Sequence, residues 1–111
     1  MPNDRGPMTE AMYYVLLALR SPLHGYALMN AITEVSQGRI EIGPGTLYGV
    51  LSRMEKEKLI FLEEKDGRRK TYKLTDQGAA ALKQEYIRLA ALVRDGQKLL
   101  GEGDGDGQEP G

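Results

Sequence analysis

The stretch G-P-G-T-L-Y-G-V-L-S-R-M-E, residues 43–55, decides how this chain folds. Its proline suits the first turn of a helix, where the missing N–H would have had no intrahelical partner anyway. At about 100° per residue, Leu47, Val50, Leu51 and Met54 gather within an arc of about 100°, which predicts a helix with one apolar face. The other face carries Gly45, Thr46, Tyr48, Gly49, Ser52, Arg53 and Lys56. Glycine in a helix interior gives up as much as about 1 kcal/mol against alanine, so some other demand sets Gly49. Two readings stand. The glycines tolerate a tight turn packed on a neighbouring helix, or they are gaps through which the backbone approaches another molecule, as a helix entering the major groove of DNA must.

On the second reading the N–H groups of Gly45 and Thr46, at the positive end of the helix dipole, suit a phosphate. The hydroxyls of Thr46, Tyr48 and Ser52 suit phosphate or base edges, and Arg53 suits a guanine or a phosphate.

Upstream, residues 9–20 form a helix that is apolar nearly all round, with Thr9 as its cap and Ser21-Pro22 as its end. A second helix is expected over residues 24–35 from the stripe Tyr26, Leu28, Met29, Ile32 and Val35, its end loosely marked by Ser36-Gln37-Gly38. Downstream the period changes to two. Residues 60–65 and 70–74 read as strands with Ile60, Leu62, Tyr72 and Leu74 inward, and Asp66-Gly67 is a hairpin turn signal. Thr75 caps a long last helix whose Leu82, Tyr86, Leu89 and Val93 recur at heptad-like steps, with Asp95-Gly96 as a weak point and fraying expected by Leu100.

Helix, helix, helix, hairpin, helix is the order of a mainly α fold, the winged helix-turn-helix, with a two-stranded wing and a long C-terminal dimerisation helix. The domains expected are a flexible N-terminus at 1–7, a winged-helix DNA-binding domain at 8–74, the dimerisation helix at 75–100 and a disordered acidic tail at 101–111. In D-G-R-R-K-T-Y-K, residues 66–73, four bases stand against one acid. A solvated charge run is the plain reading. Beside a recognition helix, however, Arg68, Arg69 and Lys70 are where phosphate neutralisation needs cations.

The net charge of −1 averages two unlike regions: the last 11 residues hold four acids and no base, so residues 1–100 carry 15 bases and 12 acids, a net of +3. No cysteine is present, which removes disulfides, thiolate metal sites and cysteine nucleophiles and fits a reducing cytoplasm. One histidine, His24, cannot assemble a metal centre, and it reads as a helix cap or packed group. The longest apolar run, V-L-L-A-L at 15–19, is far short of the roughly 20 residues that span a bilayer, and no secretory signal pattern precedes it. Convergent acids, bases and nucleophiles are lacking too, so an enzyme is not expected, nor any cofactor.

The segments L-H-G-Y-A-L at 23–28, G-T-L-Y-G-V-L-S-R-M-E-K-E-K-L-I at 45–60 and G-R-R-K-T-Y-K-L-T-D-Q-G at 67–78 resemble the PadR family of bacterial transcriptional regulators, over about residues 8–100. The resemblance implies a homodimeric winged-helix protein that binds operator DNA, usually as a repressor, and often releases it when a small molecule binds. By position, Thr46, Tyr48 and Arg53 are implied as recognition-helix contacts and Arg68, Arg69 and Lys70 as wing contacts, while His24, Gly25 and Tyr26 begin the second helix. The tail from residue 101 on has no counterpart in that family pattern.

The surplus of apolar surface on the first and last helices predicts a two-fold dimer built by Met12, Leu16, Leu82, Tyr86, Leu89 and Val93, with recognition helices about 34 Å apart. A longer intramolecular seam is the alternative. A small hydrophobic effector would find Met8, Met12, Tyr13, Leu89 and Val93 as its lining, although the same residues serve equally as core. A winged helix that binds protein rather than DNA is the rival function.

Overall fold

The computed structural model describes residues 8–65 and 69–101. The expectations for residues 1–7, for the hairpin tip Asp66, Gly67 and Arg68, and for the tail at 102–111 lie outside the described residues.

The chain runs through α1 (Glu10–Ala18), α2 (Gly25–Val35), α3 (Pro44–Lys56), β1 (Ile60–Lys65), β2 (Arg69–Leu74) and α4 (Asp76–Gly96), the last continuing as a π-helical turn (Gln97–Gly101). Helix starts follow their caps. Thr9 Oγ1 accepts from Met12 N at 3.1 Å, His24 Nδ1 from Ala27 N at 3.4 Å and Thr75 Oγ1 from Gly78 N at 2.9 Å, each satisfying a donor left over at a helix N-terminus. α1 stops at Ala18 rather than reaching residue 20, since the chain must leave the helical region before Pro22. α4 runs to Gly96, and the chain does not fray there but goes on as the π turn to Gly101.

Two helices end by the same device. After α2, Gln37 takes a left-handed φ of 57°, and the N–H of Gly38 returns to the carbonyl of Thr33 at 2.8 Å. After α3, Lys58 has φ 64° and Leu59 N returns to Met54 O at 2.9 Å. Both are Schellman closures, here with a side-chain-bearing residue where glycine is usual.

β1 and β2 pair antiparallel, with Ile60 opposite Leu74, Leu62 opposite Tyr72 and Glu64 opposite Lys70. Leu23, between α1 and α2, adds a bridge to the other edge of β2 through Leu23 N to Tyr72 O and Tyr72 N to Leu23 O, at 3.2 and 2.8 Å. The wing is therefore tied to the helical body through its middle strand. The core gathers Val15 and Leu16 of α1, Leu28 and Ile32 of α2, Leu47, Leu51 and Met54 of α3, and Leu59, Ile60 and Tyr72 at the wing's base. This is the winged-helix arrangement that the element order predicts.

α4 docks by its start. Thr75 N donates to Leu59 O at 3.0 Å and Thr75 Oγ1 to Lys58 O at 2.7 Å, so the last helix is clamped onto the turn that closes α3. Gly78 lies directly against that turn: a Cβ there would stand 2.9 Å from the Leu59 carbonyl carbon.

Candidate nucleic-acid interface

The α3 wheel has the predicted orientation. Leu47, Leu51 and Met54 are buried and Val50 partly so, while Gly45, Thr46, Tyr48, Gly49, Ser52 and Lys56 face outward. The two readings of the glycines separate here. Among the described residues, nothing lies within 4 Å of a Cβ built at Gly43, Gly45 or Gly49. No neighbouring helix fills those gaps, so intramolecular packing does not account for them.

Two members of the face are partly committed within the chain. Arg53 Nε meets Glu57 Oε2 at 2.8 Å, one helical turn on, which draws the guanidinium along the helix instead of leaving it pointing away. Tyr48 is 47% exposed, and its phenol leans over Gly25 at the start of α2, where a Cβ would sit 2.9 Å from the ring carbon Cζ. The glycine of the H-G-Y segment thus makes room for a side chain of α3. Sequence reasoning missed this relation because the two residues are far apart in the chain.

On the wing, Lys70 is exposed and opposes Glu64, and Lys73 pairs with Glu63 at 2.8 Å. Arg69 opens β2 opposite Lys65. α3 and the wing are neighbours, since α3 leads into β1 through the Schellman turn. The start of α3 and Lys70 together offer backbone donors, hydroxyls and a cation on the outside of one structural unit.

A separate cleft of about 340 Å³ opens between α1 and α4, lined by Met8, Thr9, Glu10, Tyr13, Tyr14, Glu85, Arg88 and Leu89. Of the residues named for an effector, Met8, Tyr13 and Leu89 line this cleft. Met12 and Val93 do not: Met12 is buried in the chain's own core, and Val93 is 61% exposed further along α4. Glu85 accepts from Arg88 Nε and Nη2, and this hydrogen bonding holds its carboxyl below the usual value although burial opposes it. Burial above all, and then the nearby Tyr86 and Glu85, push the Tyr13 phenol up. The charged pair was invisible in a search for apolar lining; its i, i+3 spacing was the available signal.

The dimer residues divide likewise. Met12 and Leu16 are sealed inside the chain's core, a correction to their place at a seam, because α1 is covered by the chain's own α2, α3 and α4. Leu82 and Leu89 are half-buried. Tyr86 and Val93 are exposed, together with Ile87 and Leu92. Among the described residues no group of potential metal ligands occurs, and no helix is long and apolar enough to cross a membrane.

Known proteins share this arrangement. Over 84 residues the chain is 43% identical to a protein of transposon TN4556 from Streptomyces fradiae, covering 75% of this chain but only 24% of that one, so it spans about a quarter of that relative's length. It is 38% identical over 81 residues to the transcriptional regulator Rv3488 of Mycobacterium tuberculosis, covering 70% of this chain and 73% of that protein. The crystal structure of a PadR-family transcriptional regulator from Eggerthella lenta superposes with a TM-score of 0.67 at 31% identity, over 86% of this chain and 81% of that one. The profile of the transcriptional regulator PadR-like family matches residues 15–84. With the winged-helix fold, the outward face of α3 and this match in agreement, the chain belongs to the PadR-like family of transcriptional regulators.

Proposed function

We propose that this chain is a sequence-specific DNA-binding repressor that acts as a homodimer on a palindromic operator and is released by a small effector. The observation that carries the reading is the bare first half of α3: Gly45 and Gly49 open onto space between Thr46, Tyr48 and Ser52, with no acid in the first turn. A helix so furnished lets its backbone approach a groove while its dipole and hydroxyls meet phosphates. Arg53 and Lys56 follow, and Arg68, Arg69 and Lys70 of the wing supply flanking charge. In the dimer, the outward residues of α4, Tyr86, Ile87, Leu92 and Val93, pair across a two-fold axis, and the recognition helices enter major grooves about 34 Å apart.

Selection of bound fragments from random duplex DNA tests this directly. A recovered palindrome with half-sites one turn apart supports both specificity and symmetry. Log affinity should fall steeply with log salt, by a slope of about 0.9 per phosphate neutralised. A flat salt response and no enriched sequence would favour a winged helix that binds protein instead.

A further inference from the structure

Two side chains of the outward face of α3 are tied down within the chain, and they stand on opposite flanks of it. At about 100° per residue, Gly45, Gly49, Ser52 and Lys56 form a strip about 60° wide, with Tyr48 on one side and Thr46 and Arg53 on the other. Tyr48 rests over Gly25 of α2. Arg53 is held by Glu57, Nε to Oε2 at 2.8 Å.

Glu57 is a fixed anchor. Its N–H donates to Arg53 O at 3.0 Å, closing α3, and its carbonyl accepts from Gln77 Nε2 of α4 at 3.3 Å. The next residue, Lys58, takes the left-handed φ of 64°, and its carbonyl accepts from Thr75 Oγ1 at 2.7 Å. The Glu57 side chain is only 14% exposed, against 37% for Arg53. Its second oxygen, Oε1, is buried with no hydrogen-bond partner among the described residues. Drawing the guanidinium away would leave a largely buried carboxylate uncompensated, a greater loss than breaking an exposed ion pair. Arg53 therefore stays with Glu57 whatever else it touches.

Where the guanidinium is held decides what it can meet. An α-helix about 10–12 Å across nearly fills a major groove about 12 Å wide, so a helix lying there turns its central strip to the base edges and its flanks to the sugar–phosphate walls. Arg53 is on a flank, about 15 Å along the axis from Gly43, whereas base contacts in helix-turn-helix proteins come from the N-terminal residues of the inserted helix. We propose that Glu57 is a positioning residue, which holds Arg53 at the flank of α3 as a clamp on a DNA phosphate rather than as a reader of a base. This role rests on the DNA-binding reading above, and it gives an acid beside a polyanion a favourable part in binding it.

The test uses the full chain, the operator recovered by selection and a duplex of the same length and random sequence, with affinities measured by fluorescence anisotropy across a range of salt. Arg53→Ala should weaken both duplexes by the same factor, roughly tenfold, and lower the salt slope by about 0.9. Glu57→Gln should weaken both about fivefold, less than the loss of Arg53 because a released guanidinium still finds a phosphate part of the time, and should add nothing in an Arg53→Ala background. Glu57→Asp, which keeps the charge but is one methylene too short to hold Nε in place, should behave as Glu57→Gln does, and it decides the matter where the melting temperature shows that the amide impairs folding. A loss in Arg53→Ala confined to the operator makes Arg53 a base reader and overturns the role. So does tighter binding in Glu57→Gln whether or not Arg53 is present, which makes the carboxylate a repeller of phosphate, and so does unchanged affinity in both Glu57 variants. Binding of neither duplex by the unaltered chain sinks the DNA reading and this role with it, whereas binding without coupling between Arg53 and Glu57 sinks this role alone.

Discussion

The Tyr48 phenol of α3 lies across the α-carbon of Gly25 at the first turn of α2, close enough that a Cβ would stand 2.9 Å from its ring carbon Cζ. Because Tyr48 is half exposed, it has room to swing away. Gly25→Ala should therefore alter stability by less than about 1 kcal/mol while moving a phenol of the recognition face, so operator affinity should fall more than stability does. In a Tyr48→Ala background the same change should add nothing to the loss, which a double-mutant cycle by fluorescence anisotropy measures.

Gly49 faces open space, so a methyl there meets no neighbour among the described residues. Gly49→Ala should stabilise the fold by up to about 1 kcal/mol through helix propensity and weaken operator binding. Chemical denaturation and DNA titration of the one variant suffice. A variant both more stable and equally good at binding would leave the glycine without the role assigned to it.

Gly78 is the opposite case, since what a Cβ would strike is the backbone of Leu59 rather than a movable side-chain end. Gly78→Ala should cost about 1–3 kcal/mol, lowering the melting temperature by about 4–8 °C per kcal/mol in a domain of this size. The start of α4 must move, because Thr75 and Gly78 share the same docking turn.

The proposed dimer rests on the outward residues of α4. Val93→Asp and Tyr86→Asp place a charge on outward-facing positions, so helical content by circular dichroism should be retained while sedimentation at micromolar concentration shifts towards monomer. Met12→Ala, buried in the chain's own core, should instead cost about 2–5 kcal/mol of stability, since it leaves a cavity.

Glu85 gives a pH prediction. Its hydrogen bond with Arg88 lowers its pKa from the ordinary 4.5, so it contributes stability above that value and loses the contribution as pH falls through its lower folded value. Between pH 5 and pH 3, a window of about two units around the carboxyl range, the unaltered chain should lose more of its melting temperature than Glu85→Gln does. Parallel curves would show that the pair adds nothing.

How much could be read beforehand varied with the range of the interaction. Element order, the apolar face of α3, the Thr9 and Thr75 caps and the inward strand residues Ile60, Leu62, Tyr72 and Leu74 were legible, since each depends on residues within a few positions of one another. The outward residues of α3 were legible for the same reason. The stripe Leu82, Tyr86, Leu89 and Val93 was legible as apolar but not as divided between half-buried and exposed members, because periodicity does not say how far a neighbouring helix extends.

The amino-acid order alone determined that a winged helix whose third helix has one bare outward face would form, because periodicity and capping act over a single turn or strand. Only the tertiary structure decided that Tyr48 rests on Gly25, that Gly78 seats α4 on Leu59, that Met12 and Leu16 are spent on the chain's own core, and that Glu10, Tyr14 and Arg88 meet in one cleft. Those outcomes depend on how whole elements pack, and close packing joins residues whose separation along the chain carries no signal.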